Sequence, residues 1–133
     1  MAYYEAYTVD TAMSYQDRAN SYRQIVSNVL ITVNSIQTAL KLAEAGIDNS
    51  IGFLQQAGNC FTNGAYDDGV DNDAENISSI VGKLQDTLDV VSNKLEEITS
   101  LKTNLDSNLS SAELAITHWG DRAEELRRAE FEI

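Results

Sequence analysis

Proline is absent from the 133 residues, cysteine and histidine occur once each, and 9 Lys and Arg stand against 21 Asp and Glu. Without proline, no position is barred from a helix interior by a missing N–H or a ring clash. A lone Cys60 cannot form an internal disulfide. No base lies near it and five acids follow, so it reads as a small apolar residue at a helix end. A lone His118 excludes a metal cluster or proton relay built on two imidazoles. The net charge of -12 disfavours attachment to nucleic acid or anionic lipid, because the phosphate term is repulsive.

Other absences narrow the function further. There is no GxGxxG or GxxxxGK[ST] phosphate cradle, and no serine or carboxylate sits in a recognisable nucleophile motif, so the chain is not expected to be an enzyme or to hold a cofactor. The longest apolar run, Val29 to Val33, is already interrupted by Thr32, well short of the roughly 18 residues of a membrane span. Membrane insertion is therefore not expected. The start, Met1-Ala2-Tyr3-Tyr4-Glu5, lacks the basic and apolar regions of a cleaved secretion signal, giving the expectation of a cytoplasmic chain that could be exported only by a signal-peptide-independent route.

What the sequence does contain is a seven-residue repeat. Counting every seventh residue from Ala12 gives Ala12, Ala19, Val26, Val33, Leu40, Ile47, Leu54 and Phe61. A companion row runs Tyr15, Tyr22, Val29, Ile36, Ala43, Ser50 and Ala57, with Ser50 its one polar member. A second stretch carries Ile77, Leu84, Val91, Ile98, Leu105, Ala112, Trp119 and Leu126, interleaved with Val81, Leu88, Leu95, Lys102, Leu109, Ile116 and Ala123. Rows at this spacing hold one face of a helix against a partner helix along its length. The nearest partner is the other half of the chain.

The fold class expected is all-α, a single domain over 1–133 formed by a long antiparallel, coiled-coil-like helical hairpin. Its helices are placed at about 10–57 and 73–128, with a loop at about 58–72. Thr8 and Asp10 are candidate N-caps for the first helix, Gly58 its C-cap, and Asn72 with Glu75 a capping box for the second. Gly46 and Gly52 each cost roughly 0.5–1 kcal/mol inside a helix, so a bend or early end near Gly46 is an alternative. Asn63-Gly64 and Asp67-Asp68-Gly69 are turn signals. The acidic stretch from Asp67 to Glu75 does not match the alternating ligands and spacing of an EF-hand, and no metal is expected there. If the turn is centred near Tyr66, Tyr15 lies beside Trp119, Tyr22 beside Ala112, Val29 beside Leu105 and Ile36 beside Ile98. The aromatic pair then fills the space left by Ala12, Ala19 and Ala123.

Apolar residues also fall outside the two rows: Ile25, Leu30, Ile31, Leu42, Ile51 and Phe53 in the first half, Ile80, Val90, Leu101 and Leu114 in the second. A wider apolar face than a two-helix seam requires suggests further helices, from a protein partner or a homo-oligomer, completing a four-helix bundle. These ten residues are the candidate partner-binding set. His118 and the pairs Glu96-Glu97 and Glu124-Glu125 read as solvated helix surface, with Glu124 and Arg128 in the favourable i,i+4 order.

Three tyrosines at the front (Tyr3, Tyr4 and Tyr7) and Trp119-Gly120 near the end, on a proline-free acidic hairpin, resemble the small helical proteins of type VII secretion. These are the WXG100 group and the accessory proteins that pair with LXG toxins. The resemblance implies hairpins that pair into four-helix units and are exported or carry a toxin to the export machine. In the WXG100 group the Trp-x-Gly motif sits in the turn, whereas here Asn63-Gly64-Ala65-Tyr66 occupies it. A C-terminal Tyr-x-x-x-Asp/Glu signal is also missing, so the likeness points to a targeting or chaperone-like partner of a larger secreted protein. A self-associating coiled-coil structural or adaptor protein is the alternative.

Overall fold

In a computed structural model, residues 7–61 and 68–131 are described, with side chains over 7–59 and 72–130. The chain is an all-α helical hairpin of two elements, α1 (Val9–Phe61) and α2 (Asp68–Phe131). Cys60 and Phe131 as side chains, the Asn63–Tyr66 turn, Tyr3, Tyr4 and Ile133 lie outside the described residues.

Thr8 caps α1. Its Oγ1 accepts the Thr11 backbone N–H at 3.1 Å, satisfying one of the donors a helix start leaves unpaired. The Thr11 hydroxyl lies 2.8 Å from the same oxygen, while Asp10 falls in the first turn, where an acid suits the positive end of the helix dipole.

Both inner boundaries differ from expectation. α1 continues through Gly46, Gly52 and Gly58 to Phe61, so Gly58 is not a C-cap. α2 begins at Asp68, which places Asn72 inside the helix rather than at its cap. Turn-forming composition and helix-start composition overlap here: Asp68, Asp71, Asp73 and Glu75 are the residues a helix prefers near its amino end.

One expectation from composition is too strict. α1 contains an 18-residue window apolar enough on average to cross a membrane by length and composition. A count of unbroken runs stops at Ser27, Asn28, Thr32 and Asn34, whereas an average passes over them.

The hairpin comprises two compact units, Met1–Asn34 with Ser100–Ile133, and Ser35–Thr99. In the first, Ala12, Ala115, Trp119 and Ala123 form a buried cluster against which Tyr15, Ala19 and Leu126 pack. The Tyr15 and Trp119 rings lie 4.9 Å apart at a 59° tilt, as the register predicts, and the three alanines leave room for the indole. Val26, Leu30 and Val33 are also buried in this unit. In the second, Ile51 and Val81 are the buried apolar residues. No polar side chain is fully buried among the described residues.

The glycines divide by surroundings. A Cβ added at Gly46 or Gly52 meets nothing within 4 Å, whereas at Gly120 it would lie 2.7 Å from Gln16 Nε2. Gly46→Ala and Gly52→Ala should each raise the unfolding free energy by about 0.5–1 kcal/mol in a urea titration. Gly120→Ala should gain nothing, because the displaced Gln16 loses a hydrogen bond of about 0.5–1.5 kcal/mol.

Candidate functional site

Each helix must choose which heptad rows face the other. On α2 both apolar rows turn inward: Val81, Ala112, Trp119 and Ala123 are buried, and Ile77, Leu84, Leu88, Leu95, Ile98, Leu105 and Ile116 half-buried. On α1 the row from Ala12 through Val26 and Val33 faces α2, but beyond Tyr15 its neighbour in the seam is not the Tyr22–Val29–Ile36 row. It is the row one residue later: Gln16, Arg23, Leu30, Gln37, Glu44, Ile51 and Gly58, all buried or half-buried.

This polar-looking row supplies hydrogen bonds to α2. In the first unit, Gln16 Nε2 donates to the Ile116 carbonyl at 3.2 Å. A helical residue projects back over the carbonyl four positions earlier, so Gly120 is where a side chain would obstruct this bond. In the second unit, Gln37 Nε2 donates to Thr99 Oγ1 at 3.1 Å and Ser92 Oγ donates to Glu44 Oε2 at 2.8 Å. Long polar side chains lay their aliphatic stems along the seam and keep their heads hydrogen-bonded at its edge.

Two of the ten candidate partner-binding residues are therefore misplaced. Leu30 is 8% exposed and Ile51 6%, since both belong to the seam row. The other eight, Ile25, Ile31, Leu42, Phe53, Ile80, Val90, Leu101 and Leu114, are exposed. Five residues assigned to the seam join them on the surface: Tyr22, Val29, Ile36, Ala43 and Ser50.

In the first unit, Tyr22, Ile25 and Val29 share one face of α1, being three, four and seven residues apart, and are 46%, 60% and 41% exposed. Neighbouring sequence is free of charge from Gln24 to Asn34. In the second unit, Ile36, Leu42 and Phe53 of α1 and Ile80 and Val90 of α2 are exposed. Across the chain α1 has four acids against three bases and α2 fourteen against six, so most of the charge excess resides on α2.

Among the described residues no polar or charged side chain is buried. His118 is exposed and packs edge-on to Trp119 at 4.6 Å. No group of three His, Cys, Asp or Glu side chains there could hold a metal ion. A cleft in the second unit, lined by Leu54, Gly58, Ile77 and Val81 among others, contains no titratable side chain. Three exposed ion pairs run along α2: Lys94–Glu97, Arg122–Glu125 and Arg128–Glu124. Pairs of this kind contribute about 0–1 kcal/mol each.

No family model, characterised protein or solved structure matches the chain.

The division of neighbouring apolar residues is checkable. Leu30→Ala should lower unfolding free energy by about 2–5 kcal/mol. Ile31→Asp, at a residue 66% exposed, should stay within about 0.5 kcal/mol of the parent. Paired denaturant titrations read both.

Proposed function

We propose that this chain is a non-enzymatic helical interaction protein, which lays the exposed apolar face of α1 against a helix of a larger protein. Following the resemblance to type VII accessory proteins, the larger protein is a secreted one, and this chain serves as its targeting or chaperone-like partner. The observation that carries the reading is the exposure of Tyr22, Ile25 and Val29 while a more polar row occupies the seam.

Three large apolar side chains on one helical face form a receptor for another amphipathic helix, which would recognise them through its own i, i+3, i+7 positions. Burying an Ile or Val side chain contributes about 1.5–3 kcal/mol, so the three together provide a useful anchor. Solvation of the hairpin is left to α2 and its excess of acids.

Affinity purification of the tagged full-length chain from its native cells tests this. A larger helical protein should co-purify in stoichiometric amount, and adding it should raise the chain's melting temperature, because a ligand of the folded state stabilises it by mass action. The double variant Ile25→Asp, Val29→Asp should lose the partner while keeping its helical circular dichroism. Equal recovery by the parent and the double variant would contradict the proposal.

A further inference from the structure

We infer that Met13 is a modification site, at which a peroxide converts the thioether to a sulfoxide and the new oxygen fastens the start of α1 to the end of α2 through Arg127. The site shares no residue with the apolar face on which the proposed function rests. Near the end of α2 stand Arg122, Arg127 and Arg128. Arg122 pairs with Glu125 and Arg128 with Glu124, both carboxylates of the same helix. Arg127 has no carboxylate partner among the described residues. It reaches across to α1 instead, where its Nη2 donates to Met13 Sδ at 3.1 Å.

A thioether sulfur is a weak acceptor, so a fully charged donor is poorly matched in this contact. Met13 is 38% exposed and open to a dissolved oxidant. Its neighbour Ala12 lies in the buried cluster of the first unit, and Leu126, beside Arg127, packs against that cluster. The sulfur therefore sits at the rim of the packed end, with solvent on one side and a guanidinium within bonding distance.

With hydrogen peroxide as oxidant, a sulfur lone pair attacks one peroxide oxygen and the O–O bond breaks. The departing hydroxide takes the proton left on the sulfur-bound oxygen and leaves as water. Sulfur loses two electrons and the peroxide gains them. The sulfoxide oxygen is a far better acceptor than the thioether, and hydrogen bonds from a charged donor are roughly twice as strong as neutral ones. Methionine oxidation disrupts structure where it forces a polar group into apolar packing. At a side chain already partly in solvent that penalty is small, and Arg127 gains the acceptor it lacks.

Thermal melting of the full-length chain tests the inference, in a Cys60→Ser background so that no thiol competes for the oxidant. Hydrogen peroxide should add one oxygen to the peptide containing Met13, read by mass spectrometry, and raise the melting temperature by about 2 °C. Methionine sulfoxide reductase should reverse both changes. In Arg127→Ala the oxygen should still be added but the rise should vanish. Met13→Leu, which retains Met1, should melt at the same temperature with and without peroxide.

Any of four results overturns the assignment: a Met13 that stays unoxidised, an oxidised chain that melts at or below the reduced one, a rise that survives Arg127→Ala, or a rise that appears in Met13→Leu. Capture of a larger protein through Ile25 and Val29 is read by a different assay on different residues, so the two proposals fail separately.

Discussion

The rotational setting of α1 is fixed by one heptad row whose polar members reach across to α2. Gln16, Gln37 and Glu44 lie at seven-residue multiples from one another, and each makes a hydrogen bond to the opposite helix within its own unit. Leu30 and Ile51 complete the same row as buried apolar residues. A two-helix seam is narrow, and its edges are where a long polar side chain can bury a stem and keep its head satisfied. Turning α1 the other way would bury Tyr22 and Val29 but break these bonds and expose Leu30. Gly120 is part of the same constraint, since its missing Cβ gives Gln16 access to the Ile116 carbonyl.

That setting has a functional consequence. In the first unit Tyr22, Ile25 and Val29, for which α1 has no room in the seam, end up together on one outer face. Scattered exposed apolar residues are ordinary on a protein surface; grouped ones at helical spacing point to association. Exposed apolar residues occur on both helices, while most of the acidic excess is carried by α2. Selection among partners then depends on shape and apolarity more than on charge.

Much of this was legible in the residues. The α2 rows face inward as their spacing indicates, and the register that sets Tyr15 against Trp119 is the observed one. Thr8 is the N-cap. The second row of α1 was not legible: a count of apolar residues favours Tyr22, Val29 and Ile36 over Gln16, Arg23 and Gln37. It takes no account of hydrogen bonds that let glutamine occupy a seam edge. A signal was present in the polar row itself, which contains Leu30 and Ile51 at the same spacing as its glutamines. The helix ends were obscured because glycine, asparagine and aspartate serve both turns and helix starts, and here long-range packing outweighs the local cost of Gly46, Gly52 and Gly58. Of the ten apolar residues outside both rows eight are exposed and two, Leu30 and Ile51, lie in the seam, while the identity of any partner is not encoded in periodicity.

The rotation of α1 is the claim on which the rest depends, and thiol reactivity at adjacent positions measures it directly. With Cys60→Ser as background, Val29→Cys and Leu30→Cys are each labelled with a maleimide in dilute purified protein. The account predicts that the position 29 thiol reacts close to the rate of a free thiol and the position 30 thiol far more slowly. A protected thiol at 29 beside a reactive one at 30 would place the Tyr22–Val29 row in the seam and contradict it.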